Sequence, residues 1–137
     1  MLNKKNFYID GKWVSPIEPR NYKVIDPSNE EPCAEISLGG KKDIDKAVAA
    51  AKKAFRTWAF SKKEERLELL EKLYVIYKKR WAEMAKLISL EMGAPMKFST
   101  EMQAATGASH IKSFKNILKD FKFEKDLGEE KNNQKLL

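Results

Sequence analysis

Residues 41–58 read KKDIDKAVAAAKKAFRTW, and the spacing of apolar side chains in this stretch decides the fold class. Ile44, Val48, Ala51, Phe55 and Trp58 recur at steps of three and four, which places them on one side of a helix of about 3.6 residues per turn. Asp43 and Asp45 fall in the first turn, where a carboxylate meets the positive end of the helix dipole. The pattern predicts an amphipathic helix from Lys41 onward, with one face to bury.

Upstream of that helix the period drops to two. Phe7, Tyr8 and Ile9 lead into Asp10-Gly11, and Lys12, Trp13 and Val14 follow. Asp-Gly between β-prone residues predicts a hairpin closed by a type I′ turn, because both central residues need positive φ and glycine adopts it without strain. Pro16 and Pro19 then stop the pairing. Tyr22 to Ile25 reads as a strand ended by Asp26-Pro27, and Ala34 to Leu38 as another ended by Gly39-Gly40. Residues 1–38 are therefore an extended arm with little core of its own. The glycine pair ahead of a helix is not a phosphate cradle by sequence. Neither G-x-G-x-x-G nor G-x-x-x-x-G-K-[ST] is present, and a plain strand-to-helix turn accounts for it.

Downstream, Ser61-Lys62-Lys63-Glu64 matches a capping box. Leu67, Leu70, Tyr74, Tyr77, Trp81, Met84 and Ile88 then alternate steps of three and four. This predicts one long helix to about Glu91, with Gly93 in the left-handed C-terminal position and Pro95 opening the next helix. Leu73, Ala85 and Met92 broaden the stripe beyond a coiled-coil seam, so the helix reads as part of a globule. A third helix carries Phe98, Met102, Ala105, Ile111, Phe114, Leu118 and Phe121 on roughly one side, with Gly107 weakening it by about 1 kcal/mol relative to Ala. Residues 124–137 are polar and aperiodic and read as a mobile tail. Residues 39–123 thus form a three-helix segment between the arm and the tail.

Composition excludes several function classes. The chain has 137 residues and a formal charge of +7, which suits one domain at most. No stretch approaches the roughly 20 apolar residues of a membrane span, and the basic N-terminus lacks the apolar run of a signal peptide, so a cytoplasmic location is expected. Cys33 and His110 are the sole cysteine and histidine, too few for an internal disulfide or a structural zinc site. Cys33 reads as a packing residue, with nothing nearby to lower its thiol pKa. His110 reads as a helix-face residue with no partner for general-base work. Lys outnumbers Arg 23 to 4, whereas bidentate recognition of phosphate and base edges favours Arg. Glu68 with Lys72, and Glu83 with Lys86, stand at helical pairing distance, so the charge reads as a solvated face and not as a nucleic-acid site. Glu64, Glu65, Glu68 and Glu71 read the same way, since a metal would want oxygen ligands converging in one cavity.

Taken together, FYIDGKWV, VIDPSNEEPCAEISLGGKKDIDKAVAAAKKAFRTW and ERLELLEKLYVIYKKRWAEMAKLISLEMGAP resemble the N-terminal portion of the NAD(P)-dependent aldehyde dehydrogenases. The matching features are the hairpin ending in Gly-x-Trp, Asp26-Pro27, the helix from Asp43 to Trp58, the helix beginning Glu65-Arg66, and Glu91-x-Gly93-x-Pro95. Ala94 departs from the Lys often found between that glycine and proline.

The resemblance implies an α/β parent fold of Rossmann-like type, of which this mainly helical segment with its N-terminal hairpin is a part. It implies an enzyme that oxidises an aldehyde to a carboxylic acid with NAD or NADP and is a homo-oligomer when complete. In the family a Cys thiolate attacks the aldehyde, an Asn side chain and a backbone N–H hold the oxyanion, and a Glu activates water to hydrolyse the thioester. Those residues and the cofactor-binding turn come after this segment in the family, and Cys33 does not match the catalytic cysteine. The expectation is therefore no catalytic, cofactor-binding or metal residue in this chain, weak cofactor binding by it alone, no nucleic-acid partner and no membrane. By the same resemblance residues 39–123 belong to the nucleotide-binding domain, and the third helix near Met102 to His110 borders the aldehyde tunnel. The rival readings are a stand-alone helical interaction or oligomerisation module, and weak nucleic-acid binding through the net charge.

Overall fold

The computed structural model describes residues 1–128. Five short strands come first: β1 (Leu2–Lys4), β2 (Phe7–Ile9), β3 (Lys12–Val14), β4 (Asn21–Asp26) and β5 (Glu31–Ser37). Helices follow as α1 (Lys41–Trp58), α2 (Lys63–Lys79), α3 (Trp81–Met92), the single turn α4 (Met96–Phe98), a π-helical segment at Ser99–Gln103, and α5 (Ala104–Asp120). The arm is extended and the rest helical, as the change of period requires. Residues 124–128 have no regular secondary structure, and the remainder of the expected tail, 129–137, lies outside the described residues.

Strands β2 and β3 pair antiparallel with Tyr8 opposite Trp13, and the two rings meet edge to face at 5.3 Å. Asp10 and Gly11 have φ of 53° and 74°, the two positive values of the type I′ turn. Strand β5 is central in a second sheet, antiparallel to β4 and parallel to β1. Strand β1 was not expected: its three residues are all exposed, so no alternation marks it. Strand β5 starts three residues before Ala34 because Pro32 is accommodated at a bulge. Val24 faces Ala34 and Ile25 faces Pro32, leaving Cys33 as the extra residue.

Gly40 is the N-cap of α1. It has no side chain, so the reach comes from the other direction. The Asp43 carboxylate accepts the Gly40 N–H at 3.0 Å and, on its second oxygen, the Ile17 N–H at 2.9 Å. One buried carboxylate thereby ties the arm to the first turn of the helix. The Ile17 N–H, then the Gly40 N–H, hold its pKa below the usual 3.8. A carboxyl depressed on folding contributes stability above its ordinary range and loses it as pH falls through the folded value. Asp43→Asn is therefore expected to melt several degrees below the parent at pH 7. The gap should close as pH falls through the folded value of the Asp43 carboxyl, where the parent is itself protonated; a gap that does not narrow in thermal melts carried from pH 7 into strong acid would refute the linkage.

Three helical expectations are corrected. First, Ser61 does not cap α2, whose N-cap is Lys62 with no side-chain bond. Its hydroxyl donates to the Trp58 carbonyl at 2.7 Å and accepts from Arg66 Nε at 2.8 Å. Arg66 also donates to the Trp58 and Ala59 carbonyls and lies over the Trp58 and Phe123 rings. A cation among the last carbonyls of α1 complements the negative end of its dipole. Lys63 does the same for α5, donating to the Lys119 carbonyl at 2.8 Å.

Second, the long helix is broken at Arg80, whose φ and ψ are −99° and 12°. Its N–H is shared between the Ile76 and Tyr77 carbonyls, and its guanidinium is bidentate on Glu83 at 2.7 and 2.8 Å. Glu83 is thus taken by Arg80, not Lys86, while the Glu68–Lys72 pair forms as spaced. Past the break, the Trp81 indole N–H reaches the Thr100 carbonyl at 3.0 Å.

Third, the last helix contains the π turn, which shifts the phase of every residue after it. Ala104, Ala108, Ile111, Lys115 and Leu118 are covered, whereas Phe98, Met102, Phe114 and Phe121 are exposed. Lys115 pairs with Glu71 across α2 and α5, so Glu71 is an inter-helix contact and not merely part of a solvated face.

Packing is concentrated where α2, α3 and α5 meet. Ile9, Ala85, Ala104 and Ala108 are the buried apolar residues among those described. Large apolar side chains remain exposed on α1, α2, α3 and α5 alike.

Candidate functional site

The sole cysteine and the sole histidine sit on different elements. Cys33 lies half-buried at the β5 bulge, its Sγ 3.4 Å from the Val24 carbonyl; His110 is exposed on α5. Among the described residues no group of three or more His, Cys, Asp or Glu could hold a metal ion. No helix there is long and apolar enough to cross a membrane.

The Gly39-Gly40 turn is occupied by the protein itself. Gly40 donates to Asp43, and the Gly39 carbonyl accepts from Arg20 Nη2 at 2.6 Å. A carboxylate at the N-terminus of α1 repels a phosphate from the place where free N–H groups would attract one. The Gly40 N–H is therefore already taken within the chain. The remaining shifted groups are structural: the Ser28 hydroxyl and N–H lower the Asp26 carboxyl, Lys72 lowers Glu68, and Arg80 and Glu83 stabilise each other's charge.

What the fold exposes is apolar surface. Leu73, Ile76, Tyr77, Met84 and Leu87 line an open cleft of about 230 Å³ beside the helix break. Phe7, Tyr8, Ile9, Ile44 and Ala47 line another of about 460 Å³ between the hairpin and α1. On the π turn, Met102 stands outward while its neighbour Ser99 is fully buried. Sequence periodicity identified the helices that carry these surfaces. It did not locate the π turn, nor the polar ties of Arg66 to Ser61, Trp58 and Ala59 and of Asp43 to Ile17, which apolar spacing does not encode.

The model of the aldehyde dehydrogenase family matches residues 13–136, and the chain belongs to that family. It is 41% identical over 129 residues to a 3-succinoylsemialdehyde-pyridine dehydrogenase of a Pseudomonas species, covering 93% of this chain and 27% of that protein. The crystal structure of an aldehyde dehydrogenase from Bartonella henselae superposes with a TM-score of 0.91 at 53% identity, over 94% of this chain and 27% of that one. A substituted aldehyde dehydrogenase C from Pseudomonas syringae, solved with NAD+ and octanal, gives 0.87 at 35% identity over 90% of this chain and 26% of that one. The chain thus spans about a quarter of the length of these relatives.

Proposed function

We propose that this chain is the N-terminal part of an NAD(P)-dependent aldehyde dehydrogenase that oxidises an aldehyde to a carboxylic acid, and that it is inactive by itself. The superposition on the Bartonella enzyme over 94% of the chain carries this reading. The role of the segment is positional. Residues 1–38 are the arm, and residues 39–123 belong to the nucleotide-binding domain, with the exposed Met102 end of the π turn toward the aldehyde entrance. The nicotinamide cofactor supplies the hydride acceptor when bound to the complete enzyme. The present residues neither hold it nor provide the nucleophile. The Pseudomonas relatives are named for or complexed with chemically different aldehydes, so the substrate is left at the level of the class.

Fusing this chain in place of the corresponding segment of the Bartonella enzyme tests the reading. Aldehyde-dependent NADH formation is expected from the fusion and none from the 137-residue chain alone. A folded but inactive fusion, or turnover by the isolated chain that Cys33→Ala abolishes, would overturn it.

A further inference from the structure

The π turn at Ser99–Gln103 leaves one backbone group in need of a partner. The Ala104 N–H donates to the Ser99 carbonyl, five residues back. In an α-helix the same N–H would go to the Thr100 carbonyl, four residues back. Thr100 is half-buried, and its carbonyl accepts instead from the Trp81 indole N–H at 3.0 Å. A side chain of α3 thus supplies the bond that the π turn gives up, at a depth where an unpartnered carbonyl is costly. The two sides of the turn are held unequally. On the C-terminal side α5 is pinned to α2: the Tyr77 hydroxyl donates to the Ala104 carbonyl at 2.9 Å, its ring stands where a Cβ on Gly107 would be, and Lys115 pairs with Glu71. On the N-terminal side Met96, Phe98 and Met102 are exposed. Ser99 is fully buried there, but it is small and its hydroxyl reaches the Ala94 carbonyl only at 3.4 Å.

We propose that Trp81 is a register latch. Its indole N–H holds Ser99–Gln103 in the π register, and release of that bond lets the segment pass to α-helix. The Ala104 N–H then moves from the Ser99 carbonyl to the Thr100 carbonyl, and the Ser99 carbonyl takes the Gln103 N–H in turn. Backbone hydrogen bonds are conserved in the exchange: Thr100 loses the indole and gains Ala104. Because α5 is pinned, the extra residue is passed to the loosely held side. Residues 96–102 turn by about 100° relative to α5, which carries the exposed Met102 side chain to a different face. The two registers differ by one residue of helix and one side-chain bond, so a small bias selects between them. The latch belongs to this chain's own helices and does not depend on the proposed function.

Scalar couplings across hydrogen bonds, read by nuclear magnetic resonance on the isotopically labelled 137-residue chain, identify the carbonyl that each N–H bonds. The parent is expected to couple the Ala104 nitrogen to the Ser99 carbonyl carbon, and Trp81 Nε1 to the Thr100 carbonyl carbon. Trp81→Phe keeps an aromatic ring and removes the N–H, and in it the Ala104 coupling should shift to the Thr100 carbon. Tyr77→Phe removes the neighbouring hydroxyl donor and leaves the latch, so its Ala104 coupling should stay on Ser99. A folded Trp81→Phe chain with the coupling still on Ser99 overturns the inference, since the π turn then stands without the indole. A shift in Tyr77→Phe equal to that in Trp81→Phe overturns it too, because the register would then follow from packing of the whole aromatic pair. Absence of the Trp81–Thr100 coupling in the parent is a third refutation, and it needs no variant to fold.

Discussion

Gly93→Ala is expected to destabilise the chain by about 2–4 kcal/mol and to lower its melting temperature on the order of 10 °C. Gly93 ends α3 with φ of 68°, its N–H on the Ser89 carbonyl at 2.9 Å. Left-handed backbone costs an L-residue about 1–2 kcal/mol. Contact adds to that. A Cβ there would stand 2.8 Å from Cγ and 3.5 Å from Cβ of Pro27, in the turn that joins β4 to β5. The proline ring is rigid, so relief requires moving the sheet away from α3. With so few fully buried apolar residues to set against the loss, the substitution consumes much of a small stability margin. Pro27→Ala separates the two causes, because it removes Cγ and leaves the φ strain in place. Gly93→Ala should then lose only about 1–2 kcal/mol in that background. Calorimetry showing the single Gly93→Ala variant within about 2 °C of the parent would refute both causes.

The same position shows what the sequence made legible. Gly93 as a left-handed cap followed from its place after an apolar run and before Pro95, all local information. Asp10-Gly11 and the stripe from Leu67 to Ile88 were readable for the same reason, since turn chemistry and period act within a few residues. The failures are the features set by competition between partners, across the sheet or within a few residues, which apolar period does not encode. Strand β1 exists only as a partner of β5. Ser61 left its expected cap because Arg66 and the Trp58 carbonyl compete for the hydroxyl, and Glu83 left Lys86 because Arg80 offers a bidentate partner. For residues after the π segment the phase error has a local source, whereas Phe98 precedes that segment and Met102 lies within it. A π turn adds a residue to the helical count, so Phe114 rotates outward and Ala108 inward. The family was legible through motif order, whereas the exposure of α1 could be seen only once its neighbours were placed.

Gly107→Ala should behave against its helix propensity. On propensity alone, Ala in the middle of α5 stabilises by about 1 kcal/mol. In the structure a Cβ at this position would meet Tyr77 Oη at 2.4 Å, Cζ at 2.8 Å and Cε2 at 3.3 Å. The ring cannot withdraw without loss: its hydroxyl donates to the Ala104 carbonyl at 2.9 Å, and it stands edge to face with Trp81 at 6.3 Å. The hydrogen bond is worth about 1 kcal/mol and overpacking costs about 1–3 kcal/mol, which together outweigh the propensity gain. The net expectation is a destabilisation of about 2 kcal/mol by urea unfolding. Tyr77→Leu removes the hydroxyl and the far side of the ring. In that background Gly107→Ala should reverse sign and stabilise by about 1 kcal/mol, a coupling that only residues in contact show. A stabilising Gly107→Ala in the parent would mean that the α2–α5 contact is looser than the Tyr77 geometry requires. The reversal would establish that glycine is there to admit the tyrosine, which makes the weakest residue of the helix the one that fixes how the two helices pack.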